Sequence, residues 1–213
     1  MKNIKNLFTA LLLMCSTVAS AYDFKVGGIY YNITDVVNST VEVTFENNSG
    51  KGVKSDYEGD VTIPETVNYR GIIYRVTSIS SFAFFGCTSL SSIVIPNSVT
   101  SIGKDAFKGC KSLKVLHIAD GKSTLSLGYS TSGNGLLYDC PLEKLFLGRN
   151  LSDNTILTYS PFYNKKTLTS VKLGNSVTSI GDNAFKGCTG LTSIVIPNSI
   201  PTPAIATPKK PPV

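Results

Sequence analysis

The chain has 213 residues, 42% of them hydrophobic, which is enough to bury a continuous core in one elongated domain. Its net charge of +6 is small and dispersed, which argues against the concentrated basic stripe of a nucleic-acid binder. A single histidine leaves too few ligands for a conventional zinc site.

Met1–Ala21 has the form of an export signal. Lys2 and Lys5 give the positive start, Leu7–Met14 the apolar run, and Ala19-Ser20-Ala21 the small-residue cleavage site, so the mature chain is expected to begin at Tyr22. The run is too short to span a bilayer. An ordinary buried helix is the alternative. Cys15 would suit lipidation, but bulky Met14 stands where a small residue is needed. Without Lys2 and Lys5 the basic residues fall from 20 to 18 against 14 acidic ones, leaving +4. Nothing later is apolar enough for a transmembrane helix, so no membrane span is expected in the mature chain.

Residues 22–59 are not repetitive. Phe24-Lys25-Val26, Ile29–Ile33 and the alternating Thr40–Phe45 predict strands of a small sheet before the turn-rich Asn47–Gly50. An N-terminal β cap is the expected role, because the end of a stacked array exposes its core unless covered. Asp60-Val61-Thr62-Ile63-Pro64 has the form of Ser92-Ile93-Val94-Ile95-Pro96 and predicts the first strand of such an array. Tyr69–Tyr74 predicts a hairpin.

From Val76 the sequence repeats. VTSISSFAFFGCTSLSSIVIPNS at Val76–Ser98 begins again 23 residues later as VTSIGKDAFKGCKSLKVLHIADG, and a third clear copy runs Val177–Ser199. Decayed copies lie between, at Leu137–Leu147 and Pro161–Leu173. A fixed period in the twenties marks a solenoid. L-x-x-I-x-I alternates at its end, so Ile93 and Ile95 face one way and Ser92 and Val94 the other. Phe84, Phe107, Phe162 and Phe185 are large enough to fill the space between two strand layers. The fold expected over residues 60–199 is a β-dominated solenoid of about five 23-residue repeats.

This pattern resembles the BspA-type leucine-rich repeat of bacterial surface and secreted proteins. Val99–Gly103, Ala106-Phe107, Gly109-Cys110 and Leu113 carry the resemblance, as do Val177–Gly181, Ala184-Phe185, Gly187-Cys188, Leu191 and Ile194–Pro197. The resemblance implies non-catalytic binding at a cell surface, adhesion to proteins included, with a protein partner and no cofactor. A structural spacer or truncated remnant is the alternative, and an enzyme the least favoured reading. The carboxylates Asp105, Asp120, Asp139 and Glu143 read as solvated turn residues.

Lys122–Gly135 breaks the period with a Ser-, Thr- and Gly-rich loop, read as a tolerated insertion, with a binding loop as the alternative. Residues 200–213 form a Pro-rich tail that offers few N–H donors. Cys87, Cys110, Cys140 and Cys188 occupy one repeat position. Stacked at about 4.8 Å with parallel side chains, they favour buried thiols over disulfides, with a Cys87–Cys110 bridge as the alternative. N-x-S/T matches at Asn32, Asn38, Asn47 and Asn150 carry little weight in the bacterial protein that the resemblance implies.

The register also aligns the outward residues in two columns. Ser92, Val115, Lys144, Ser170 and Ser193 form one; Val94, His117, Phe146, Lys172 and Val195 form the other. Val115, His117 and Phe146 are poor choices for solubility alone. With Lys144 and Lys172 they are the expected binding residues, a mixed apolar and basic patch suited to a protein partner. No metal site and no catalytic residue are expected.

Overall fold

A computed structural model describes residues 21–49, 52–54, 56–128, 136–152, 161–180, 184–198 and 200. The expected export signal, apart from Ala21, lies outside the described residues, as do positions 129–135 of the long loop and the tail after Ile200. The described residues form strands and turns and no helix. They open with β1 (Phe24–Val26), β2 (Ile29–Asp35) and β3 (Thr40–Thr44), an antiparallel meander, followed by a separate hairpin of β4 (Asn47–Ser49) and β5 (Gly52–Lys54). Then come β6 (Gly59–Thr62), β7 (Thr66–Tyr69), β8 (Ile72–Ile79), β9 (Leu90–Ile95), β10 (Ser101–Ile102), β11 (Val115–Ile118), β12 (Ser126–Leu127), β13 (Lys144–Arg149), β14 (Ser170–Ser176) and β15 (Ser193–Val195).

These strands build two sheets. One is wholly parallel, in the order β6-β9-β11-β13-β14-β15. The other runs β1-β2-β3-β8-β10-β12, with β7 hydrogen-bonded to β8. Parallel neighbours need a crossover, and from β8 to β13 the chain supplies it by visiting the two sheets in turn. The expected hairpin at Tyr69–Tyr74 is the β7–β8 turn. One pairing was not foreseen: β3 lies parallel to β8, so the opening meander and the repeats share a sheet.

The alternation of L-x-x-I-x-I explains the core. Ile93, Ile95, Leu116, Ile118, Leu145 and Val171 are at most 2% exposed, as are Val76, Ile79 and Ile102 from the other sheet and Val99 just before β10. Between the layers Phe84 and Phe107 stack at 5.2 Å, and Phe162 and Phe185 at 5.6 Å. No rung encloses its own core, so each depends on its neighbours. At one end Tyr57 packs on Phe84 at 4.5 Å, donates its hydroxyl hydrogen to the Thr44 carbonyl at 2.7 Å, and accepts from the Tyr30 amide at 3.1 Å. At the other end Ile196, the counterpart of Ile95, is 55% exposed.

Two backbone constraints account for recurring residues. The turn position before each ladder cysteine has positive φ, at Gly86 (69°), Gly109 (79°) and Gly187 (79°). In the decayed copies Asp139 (60°) and Asn164 (59°) take this place, the residue types that best tolerate a left-handed backbone after glycine. Gly103 answers a different need. A Cβ there would lie 2.3 Å from the Ser81 amide nitrogen, so only glycine lets consecutive rungs approach at this corner.

Candidate functional site

The outward face of the six-stranded sheet is set by strand alternation. In β11 the side chains of Leu116 and Ile118 enter the core, which leaves Val115 and His117 on the other face. The register then fixes the neighbours. Val115 pairs with Ser92 and Lys144, Lys144 with Ser170, and Ser170 with Ser193. In the second column His117 pairs with Val94 and Phe146, Phe146 with Lys172, and Lys172 with Val195.

Val115, His117, Lys144, Phe146 and Lys172 therefore stand together on three adjacent strands. The His117 and Phe146 rings are 4.4 Å apart between centroids, tilted by 49°. On the opposite side of Phe146 the Lys172 ammonium lies 5.7 Å from the ring centroid, a cation–π contact worth about 0.5–1 kcal/mol at an exposed site. Lys144 and Lys172 are exposed, while Val115, His117 and Phe146 are half-buried between their neighbours.

The sequence columns began one strand late. Asp60 pairs with Ser92 and Thr62 with Val94, so β6 heads both columns. The likeness of Asp60–Pro64 to Ser92–Pro96 was the signal for this placement. Asp60 is fixed there by the Ser92 and Ser91 hydroxyls at 2.6 and 2.8 Å, and these hydrogen bonds lower its pKa. Beside the columns Lys114 and Glu143 form an exposed ion pair at 3.0 Å, worth under about 1 kcal/mol.

The repeat cysteines belong to the interior. Cys87, Cys110, Cys140 and Cys188 are free and buried. Each of the last three donates its thiol to a carbonyl of the preceding rung at 3.0 Å: Cys110 to Phe84, Cys140 to Phe107, Cys188 to Phe162. The hydrogen bond shared with Cys140, and then burial, hold the Cys110 thiol above the usual thiol range, and burial raises Cys188. Protonated and buried, the Cys110 and Cys188 thiols are poor nucleophiles and poor metal ligands. Among the described residues no cluster of three or more His, Cys, Asp and Glu has the geometry to hold a metal ion. Nor is any described helix long and apolar enough to cross a membrane.

The sequence model of a family described as BspA type leucine rich repeat region matches residues 77–202 in six copies. Among solved structures, a leucine-rich repeat protein from Bacteroides ovatus is 26% identical over 84% of this chain and 48% of its own, with a TM-score of 0.45. A leucine rich cell surface protein from Faecalibacterium prausnitzii is 23% identical over 87% of this chain and 45% of its own, with a TM-score of 0.50, a likeness of fold. A leucine rich repeat protein from T. pallidum is 21% identical over 81% of each chain, with a TM-score of 0.45. The chain thus spans about half the length of the first two. No curated protein sequence matches significantly.

Proposed function

The chain belongs to the BspA-type leucine-rich-repeat family, and from that premise we propose that it is an exported, non-catalytic module that binds a protein at the cell surface. The observation that carries this reading is the row of His117, Phe146 and Lys172 on the outward face, in contact at 4.4 and 5.7 Å. A purely solubilising surface has no use for an aromatic ridge flanked by aliphatic and basic residues, whereas protein interfaces are enriched in such mixtures. A rigid sheet also holds these side chains in one arrangement, so little entropy is lost when a partner docks. Export is supported by the sequence pattern of Met1–Ala21. Residues 22–59 serve as the N-terminal cap, a role supported by Tyr57 lying against Phe84.

The test is capture of solubilised cell-surface proteins by the immobilised chain and by a His117→Ala/Phe146→Ala variant of unchanged circular dichroism. A protein retained by the parent and lost by the variant supports the reading. Equal retention by both places binding elsewhere on the molecule.

A further inference from the structure

Resting on that reading, we propose that this face recognises an acidic segment of its protein partner, an extended stretch in which Asp or Glu carboxylates alternate with aliphatic side chains. β13, which carries Phe146, lies between β11 and β14. Its ring is therefore flanked by the His117 ring, tilted by 49° at 4.4 Å, and by the Lys172 ammonium, 5.7 Å from its centroid. Between these neighbours the ring is half-buried.

That geometry decides between ligand classes. An aromatic ring has a negative face and a positive edge, and sugars and nucleobases are held by stacking on open faces. Here the ring is half-buried between a neighbouring ring and a cation, which leaves little of it free for stacking. The exposed groups beside it are the ammonium groups of Lys144 and Lys172. Lys144 stands in the same strand as Phe146 and Lys172 in the next, so two cations bracket one apolar ridge. Of the neighbouring carboxylates, Glu143 is paired with Lys114, and Asp60 is separated from Lys144 by the intervening rungs of Ser92 and Val115.

An acidic glycan would satisfy the two lysines, but it has no aliphatic groups to cover Val94 and Val115, which lie in the same two columns. A polypeptide supplies both. In an extended segment alternate side chains point the same way, about 6.6–7 Å apart, which lets carboxylates and aliphatic groups fall in separate rows.

The probe is a short peptide alternating glutamate and leucine, titrated against the whole chain by fluorescence anisotropy, with a lysine-for-glutamate peptide and dextran sulfate as comparisons. The expected result is binding of the glutamate peptide alone, weakened roughly tenfold by Lys144→Glu with Lys172→Glu and weakened by added salt. Equal binding of the glutamate peptide to the charge-reversed variant, or no binding at all, overturns the inference. Preference for dextran sulfate overturns it in favour of a glycan. Failure here is distinct from failure of the broader reading: a captured protein that depends on Phe146 and His117 but tolerates charge reversal at both lysines leaves the binding face standing and removes only its acidic partner.

Discussion

The ammonium of Lys165 donates to the carbonyl oxygen of Leu137, the bond that a thiol makes in the other rungs. Leu137 stands where Phe84 and Phe107 stand, and Lys165 where Cys110 and Cys140 stand, so the interior column reads Cys87, Cys110, Cys140, Lys165, Cys188. What this position requires is a donor to the rung before it, and either side chain meets that need. The lysine meets it at a cost, since burial lowers its pKa and opposes the charged form.

Lys165→Cys should therefore be tolerated, keeping the donor while removing the buried charge, and is expected to leave stability within about 1 kcal/mol of the parent or above it. Lys165→Ala removes the donor and is expected to lose about 1–3 kcal/mol. Denaturant midpoints of the two variants check this. Equal loss in both would show that the lysine stem, and not the hydrogen bond, matters here.

Stability should also fall in alkali, for a reason that lies at the opposite end of the core. Burial pushes the Tyr31 phenol up to about 12 and raises Tyr57 further, from an ordinary value of 10.0. A folded pKa above the unfolded one means stability that is complete below about pH 10 and lost as pH rises through the folded value. Lys165 has the opposite sign. Its folded pKa lies below 10.5, so its contribution improves as pH rises toward that value. The two phenols outweigh one partly buried amine, and the net slope is expected to be downward. Tyr31→Phe should flatten it. Tyr57→Phe should flatten it too while losing roughly 2 kcal/mol at neutral pH, because the Thr44 carbonyl and the Tyr30 amide are left without their partner. Urea titrations across the alkaline range measure both effects.

Where the sequence repeats faithfully, the structure was legible in it. The spacing of the L-x-x-I-x-I segments placed Val115 beside Lys144 and Phe146 beside Lys172, because in a parallel ladder the register follows from the repeat alone. What escaped were contacts made by residues that occur once. Thr40–Thr44 read as part of a self-contained sheet, and nothing in its alternation distinguishes an antiparallel neighbour from β8. Tyr57 lies outside any periodic run, so its place against Phe84 had no signal. Lys165 was visible as the rung equivalent of a cysteine, but a lysine predicts solvent, and only the position of the Leu137 carbonyl shows otherwise.

Gly103→Ala is expected to be severely destabilising, by more than about 3 kcal/mol, although it adds one methyl group. The new Cβ would sit 2.3 Å from the Ser81 nitrogen and 2.7 Å from the Ser80 carbonyl carbon, and both are backbone atoms held by the neighbouring rung. Ser170→Ala, on the outward column, should change stability by less than about 0.5 kcal/mol. Thermal melts of the pair test whether rung spacing at this corner is as inflexible as the distances require. A mild loss for Gly103→Ala would mean that the two consecutive rungs can separate locally.

Arg149 ends β13 with no exposed surface, and burial lowers its pKa. Its Nη1 donates to the Asn97 carbonyl and its Nη2 to the Pro96 carbonyl, both at 2.9 Å. Those carbonyls follow β9, so the side chain reaches past the rung of β11 to the one before it. Gly121 lies beside this path: a Cβ there would lie 3.0 Å from the Asn97 Cβ, a tight approach, and 3.6 Å from the Arg149 Cδ, an ordinary contact. A buried guanidinium bonded only to neutral oxygens contributes less than its two bonds suggest, because its desolvation opposes them. Its stem, however, fills the corner. Arg149→Ala empties that volume and is expected to lose about 3–5 kcal/mol. Arg149→Met refills it and removes the charge, and the Pro96 oxygen still accepts from the Val99 amide at 3.3 Å. Only the Asn97 oxygen then loses a partner, so the methionine variant should lose about 1–2 kcal/mol. Equilibrium unfolding in urea separates the contributions: a methionine loss as large as that of alanine would assign the corner's stability to the two hydrogen bonds instead of to packing.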